Sequence, residues 1–222
     1  MDMNGWRQQP ARAVDRWYVG WDIGQAVDPS AIAALHHRVV PIEKWVPNHE
    51  TRTSRQERTE HFDVLYLQRL PLGQSYPEQI QQVANLMCRE PLVGARLVVD
   101  FTGVGRPVFD MCQRAGLRPH GVLITAGSET THNGTIFHVP KQTLVSQLEA
   151  RLHSGELKIA ADLSDAPALA DELKDFARKV SESGRVTFNA RSGSHDDLVL
   201  AVAIALFSAL SGPTLIREEL FL

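Results

Sequence analysis

Trp17-Tyr18-Val19-Gly20-Trp21-Asp22-Ile23-Gly24 is the stretch on which the fold turns. Its aromatic and β-branched residues are those of a strand. Asp22 stands at the end of that strand, and Gly24 follows it. A glycine there lets a substrate backbone approach closely. Leu97-Val98-Val99-Asp100 repeats the arrangement. An unbroken apolar run of this kind suits a central strand covered on both faces, again with its acid at the exposed end. The third acidic stretch, Ser194-His195-Asp196-Asp197, precedes a run from Leu198 to Phe207 that is apolar at every position. A helix apolar all round is buried against a sheet, so its acidic tip points at the sheet end where the strand acids emerge.

Each stretch alone has an ordinary explanation. Asp22 suits a turn, and Asp100 suits a cap on the loop at Thr102 and Gly103. Ser194-x-x-Asp197 resembles a capping box, with acids favoured by the helix dipole. Together they describe oxygen ligands delivered to one point, which suits hard divalent cations. Two such cations roughly 4 Å apart can cleave phosphodiester bonds.

Outward from these stretches, residues 1–16 are polar, contain Pro10 and read as a disordered leader or linker. A strand over 17–23 is followed by a second over 30–46, bent near Pro41, and a third over 62–70. Short links between the three imply an antiparallel meander. Residues 47–61, with Arg52, Arg55 and Arg58 among glutamates, read as a solvated loop or short helix. The arginines could touch phosphates from there. Helical spacing follows at 76–89, then a strand at 97–100, a helix at about 106–115 and a strand at 121–125. A helix is expected over 140–154, a short strand at 157–160 and a helix at 166–180. A strand at 185–189 and a helix at 194–210 close the domain, and the tail 211–222 is unassigned. Strands followed by alternating helices and strands give a mixed α/β sheet with helices on its faces. Ligands in such sheets bind at strand ends near a switch in strand order.

The 222 residues fit one domain with tails, and 43% apolar composition is ordinary for a globular protein. The net charge of −3 excludes a basic nucleic-acid coat but not an acidic enzyme of nucleic acids. Cys88 and Cys112 form no C-x-x-C pair and read as buried, reduced thiols, which suits a reducing cytoplasm. The most apolar run falls well short of the ~20 residues that span a bilayer. His36 and His37 lack a partner at metal-ligand spacing and read as surface residues.

The acidic constellation resembles the ribonuclease H-like nuclease fold, and more narrowly the C-terminal nuclease domain of phage terminase large subunits. The residues that carry the likeness are Asp22 in Val19–Gly24, Asp100 in Val98–Gly105, and His195-Asp196-Asp197 ahead of Leu198–Ala201. Val139-Pro140-Lys141 before Leu144–Leu148 also matches, and the likeness covers residues 17–210. It implies an antiparallel three-strand meander followed by parallel strands, with helices on both faces. It implies two Mg²⁺ or Mn²⁺ ions held by Asp22, Asp100, Asp196 and Asp197, and cleavage of double-stranded DNA to 5′ phosphate and 3′ hydroxyl ends. Lys141 is expected near the DNA backbone, and His195 beside a water or carboxylate. Gly24 and Thr102 complete the expected surroundings. The implied partners are a packaging ATPase motor, a small subunit and a portal, in the cytoplasm of a bacterial host. The sequence holds no G-x-x-x-x-G-K-[ST] phosphate loop, so the likeness extends to the nuclease alone.

Other readings remain open at this level. Asp22-Ile23-Gly24 and Asp100–Gly105 superficially resemble the phosphate loops of the sugar-kinase and actin type, although His195-Asp196-Asp197 has no role in that fold. Within the nuclease fold, a Holliday-junction resolvase or integrase-like enzyme is a further alternative. A non-catalytic assembly module is another.

Overall fold

The computed structural model describes residues 5–24, 28–103, 105–182 and 195–211, without the side chains of 105–106 and 176–182. The chain opens with β1 (Arg7–Gln9), β2 (Val14–Asp22), β3 (Ala31–Asn48) and β4 (Thr53–Arg69). Next come α1 (Tyr76–Met87), β5 (Arg96–Asp100), α2 (Gly105–Arg114) and β6 (His120–Thr125). The remainder is β7 (Thr131–Asn133), β8 (Ile136–Pro140), α3 (Lys141–Ser154), β9 (Leu157–Ile159), α4 (Ala166–Glu182) and α5 (Asp197–Ser211).

The strands form one sheet in the order β1-β4-β3-β2-β5-β6-β8-β7, with β9 also on β4. β2, β3 and β4 pair antiparallel, whereas β5, β6 and β8 extend the sheet parallel to β2. The chain therefore travels outward from β2 through β3 and β4, then crosses back by α1 to the other side of β2. That reversal makes the carboxyl ends of β2 and β5 a topological switch point, where open sheets form a crevice.

Strand alternation divides the core into two layers. Tyr18, Ala31, Ala33, Leu35 and Val98 face α3, α4 and α5. Val19, Trp21, Ile32, Leu97 and Val99 face α1 and α2 on the other side. Helices thus cover both faces, as expected. α5 is buried along Asp197–Ala209, which accounts for its lack of a polar side.

Several boundaries differ from the sequence reading. The leader is ordered in part: Arg7–Gln9 pairs with Thr53–Arg55, and β2 begins at Val14 rather than at 17. Residues 47–61 are no loop or helix but the tip and outer arm of one long β3–β4 hairpin. Polar strands gain from cross-strand pairs that composition does not display, among them Lys44–Glu57. The bend expected near Pro41 is a register shift between Pro41 and Trp45. β7 and β8, left unassigned in the sequence reading, form a small hairpin on β6. Cys112 is buried, but Cys88 is exposed at the end of α1. His37 is not a surface residue: it is buried, bonded to Glu60 and stacked on Phe62. Burial lowers its pKa. α5 begins at Asp197, not at 194, and runs to Ser211, one residue into the expected tail. The expected strand at 185–189 and the tail beyond Ser211 lie outside the described residues. Among the described residues, no helix is long and apolar enough to cross a membrane.

Candidate active site

Asp22 and Asp100 are direct partners in the parallel pairing of β2 with β5. Neighbouring strands lie about 4.8 Å apart. Asp22 shares its strand parity with Tyr18, and Asp100 shares that of Val98, so both acids fall on the α5 side of the sheet. Both are buried, at 9% and 5% exposure.

Gly20 sets the position of α5. A Cβ at Gly20 would stand 2.0 Å from the Ala201 carbonyl oxygen and 3.1 Å from Ala205 Cβ. The helix backbone therefore lies directly on the strand. From Gly20 to Asp22 is ~6.6 Å of strand, and from Ala201 back to Asp197 is about one turn of ~5.4 Å. The two advances nearly match, which brings the first turn of α5 to the end of β2. Asp196 is the N-cap residue, its carbonyl accepting the Leu200 N–H at 2.9 Å.

The expected acids thus come within electrostatic reach of one another. Burial pushes the Asp22 carboxyl well above the ordinary range, reinforced by repulsion from Asp100, Asp196 and Asp197 and opposed by Lys141. Burial raises Asp100 to about 6, against hydrogen bonds from Thr102 and attraction from Lys141. Thr102 donates to Asp100 Oδ1 twice, from its backbone N–H at 2.8 Å and its hydroxyl at 2.6 Å. The same hydroxyl accepts the Ile124 N–H at 2.8 Å, which ties Asp100 to β6.

Two of the acids carry internal counter-cations. Lys141, the first residue of α3, places Nζ 2.5 Å from Asp196 Oδ2. Arg69, at the end of β4, donates through Nε to Asp197 Oδ2 at 2.6 Å. His195 Nδ1 lies 3.6 Å from Asp197 Oδ1 on a side chain that is 48% exposed. Among the described residues, no group of three His, Cys, Asp or Glu side chains is already drawn up to hold a metal ion. The donor chemistry nevertheless fits hard divalent cations: every acid offers only oxygen, and the acids outnumber the cations beside them.

Gly24 serves its own loop. A Cβ there would meet the Asp28 and Pro29 carbonyl oxygens at 2.0 and 2.4 Å, and its N–H donates to Ser30 Oγ. Close packing within the loop accounts for its size. Arg52, Arg55 and Arg58 sit at the far end of the β3–β4 hairpin. Fourteen strand positions separate Arg55 from Arg69, roughly 45 Å at about 3.3 Å each.

Two residues at this site were missed in the sequence. Glu172 on α4 is 7% exposed. It accepts Arg69 Nη2 and, at 3.0 Å, the Val199 N–H. Burial raises its carboxyl to about 7, against the Val199 hydrogen bond. Arg69 also loses stability of its charge to burial, but Asp197, Glu172 and Asp165 hold its pKa above the ordinary value. The available signal was Glu172 beside Leu169 and Leu173, a carboxylate on the apolar stripe of a helix.

The chain matches no protein-family model and no curated protein. Among solved structures it is similar to the large terminase nuclease from thermophilic phage G20c. That likeness has 18% identity and a TM-score of 0.50 over 86% of this chain and 81% of that one. The large terminase nuclease domain of bacteriophage SPP1 with bound Mn aligns over 91% of this chain and 96% of its own, at 11% identity and a TM-score of 0.47. The human cytomegalovirus terminase nuclease domain aligns over 93% and 86%, at 14% identity and a TM-score of 0.45. The mixed pairing and the helices on both faces agree with the likeness to the phage G20c protein: the chain has the ribonuclease H-like fold of that terminase nuclease.

Proposed function

We propose that the chain is a metal-dependent endonuclease that cuts double-stranded DNA during phage genome packaging, as the nuclease module of a terminase. The observation that carries this reading is the in-register pair Asp22 and Asp100 at the switch point, with the acidic tip of α5 laid over it. The nuclease domain, expected over 17–210, also takes in β1 and the start of β2. Asp22, Asp100, Asp196 and Asp197 would hold two Mg²⁺ or Mn²⁺ ions. When bound, such a pair supplies Lewis-acid polarisation of the scissile phosphate and a water of lowered pKa.

The protein's own groups do the remaining work. Thr102 fixes the orientation of Asp100. Lys141 neutralises Asp196, and with a cation on that carboxylate its ammonium would be positioned to meet a DNA phosphate. His195, exposed beside Asp197, orients that carboxylate or a water. The packaging motor, small subunit and portal are the partners of this reading, in the host cytoplasm.

Incubation of supercoiled plasmid with Mn²⁺ tests it. Wild type nicks and linearises the plasmid, EDTA stops the reaction, and Asp22→Asn or Asp100→Asn abolishes it with circular dichroism unchanged. Cleavage at the wild-type rate by either variant removes that residue from the site. Linear duplex cut in preference to a four-way junction separates a packaging nuclease from a resolvase.

A further inference from the structure

We propose that Arg69 and Glu172 are positioning residues: together they form a clamp across β4, α4 and α5 that sets the Asp197 carboxylate for cation binding. The inference rests on the metal-dependent reading of the acidic cluster and assigns roles to two residues outside that cluster.

The clamp has four geometric ties. Arg69 Nε donates to Asp197 Oδ2 at 2.6 Å, and Arg69 Nη2 donates to Glu172 Oε1. The backbone N–H of Arg69 donates to Asp165 Oδ2 at 2.7 Å, which anchors the end of β4 beside the start of α4. Glu172 Oε2 accepts the Val199 N–H at 3.0 Å. That N–H belongs to the first turn of α5, whose early donors have no partner within the helix. One buried carboxylate therefore caps α5 and steers the arginine that holds the acid on its first residue.

The chemistry requires these residue types. Arginine presents a planar fork that can serve two carboxylates at once, which the single ammonium of lysine cannot do in fixed geometry. Glu172 and Asp197 are 7% and 6% exposed at the side chain, and Arg69 29%. Water therefore competes weakly for these bonds. Groups that orient a ligand without touching the metal commonly change metal affinity by roughly 10–100-fold when removed.

Charge and positioning make opposite forecasts, which makes the clamp testable with Mn²⁺ alone. Loss of a cation beside acids strengthens attraction for Mn²⁺, whereas loss of a clamp weakens it. Calorimetric titration of Mn²⁺ into Arg69→Met is expected to show affinity roughly tenfold below wild type. Arg69→Lys, which keeps the charge but loses the fork, is expected to fall with it. Glu172→Ala is expected to lose a similar factor and to speed exchange of the Val199 amide in metal-free protein. Glu172→Gln removes the same charge and turns one of the two acceptor oxygens into an NH₂ donor, so it can keep the Val199 N–H but not the Arg69 tie. It is expected to lose less Mn²⁺ affinity than Glu172→Ala, with the amide protected. Arg69→Met binding Mn²⁺ as tightly as wild type, or more tightly, overturns the clamp. Equal losses in Glu172→Gln and Glu172→Ala also overturn it, because charge alone then explains both. If Arg69→Met does not fold, the Glu172 pair decides. Wild type that fails to bind Mn²⁺ overturns the proposed function itself, and the clamp with it.

Discussion

Asp22 and Asp100 stand opposite each other in register on adjacent parallel strands, buried on the same side of the sheet. Burial penalises the charge on both carboxylates, and neighbouring acids add repulsion. Metal-free protein therefore bears a strain that a neutral side chain relieves. The rise of Asp100 from 3.8 to about 6 corresponds to about 3 kcal/mol at most. Asp22→Asn and Asp100→Asn should each raise the melting temperature of metal-free protein at pH 7.5 by several degrees, at about 2–4 °C per kcal/mol, while abolishing cleavage. Scanning calorimetry in EDTA checks this, and an unchanged or lower melting temperature for both variants contradicts it.

The same shifts fix the sign of the pH dependence. A carboxyl with a raised folded pKa binds its proton more tightly in the native state than in the unfolded chain. The stability it contributes is fully present below the unfolded value near 4 and is lost as pH rises through the folded one. The window closes at about 6 for Asp100 and about 7 for Glu172. Metal-free protein is expected to melt higher at pH 5 than at pH 7.5. Saturating Mn²⁺ should reverse that order, since cation and proton compete for the same oxygens. Thermal denaturation at the two pH values, with and without Mn²⁺, reads both halves.

Lys141 and Arg69 are predicted to differ in sign. Lys141 occupies Asp196 directly and competes with a cation for it. Lys141→Met should therefore bind Mn²⁺ several-fold more tightly by calorimetry while cleaving plasmid more slowly. It should also lower the salt slope of duplex binding by about one. Weaker Mn²⁺ binding in this variant would make Lys141 a positioning group instead of a competitor.

Gly20 carries the contact that aims α5. Its missing Cβ is filled by the Ala201 carbonyl, so Gly20→Ala must push the helix away from β2. Overpacking of this kind costs about 1–3 kcal/mol. A fall in melting temperature of about 2–12 °C is expected, together with weaker Mn²⁺ binding, because Asp196 and Asp197 ride on the displaced helix. Wild-type stability would place the helix farther from the strand than described.

Arg55 and Arg58 are exposed on the distal arm of the hairpin, a strand's length from the acids. Replacing both with Ser should leave the rate of plasmid cleavage under saturating DNA unchanged. A large fall in that rate would bring the arm to the reaction.

The acids were legible because strand composition and the all-round apolar helix constrain where a carboxylate can emerge. Asp22, Asp100, Asp196 and Asp197 announce element ends, and the sheet register does the rest. The outer arm of the β3–β4 hairpin was not legible, since its polar residues are stabilised by the opposite strand and not by burial. β7 and β8 were too short to separate from a loop. Arg69 and Glu172 were hidden for a different reason: each is an ordinary charged residue until β4, α4 and α5 are packed, and their roles exist only in that packing. The tight fit of Gly24 against the Asp28 and Pro29 carbonyls was hidden, because contacts within a loop form only on folding.

A crystal soaked in Mn²⁺ and measured at the manganese absorption edge locates the cations on which the nuclease reading depends. Anomalous peaks are expected among the carboxylates of Asp22, Asp100 and the Asp196–Asp197 tip of α5. Peaks confined to other surfaces, with these four side chains left unliganded, would contradict it.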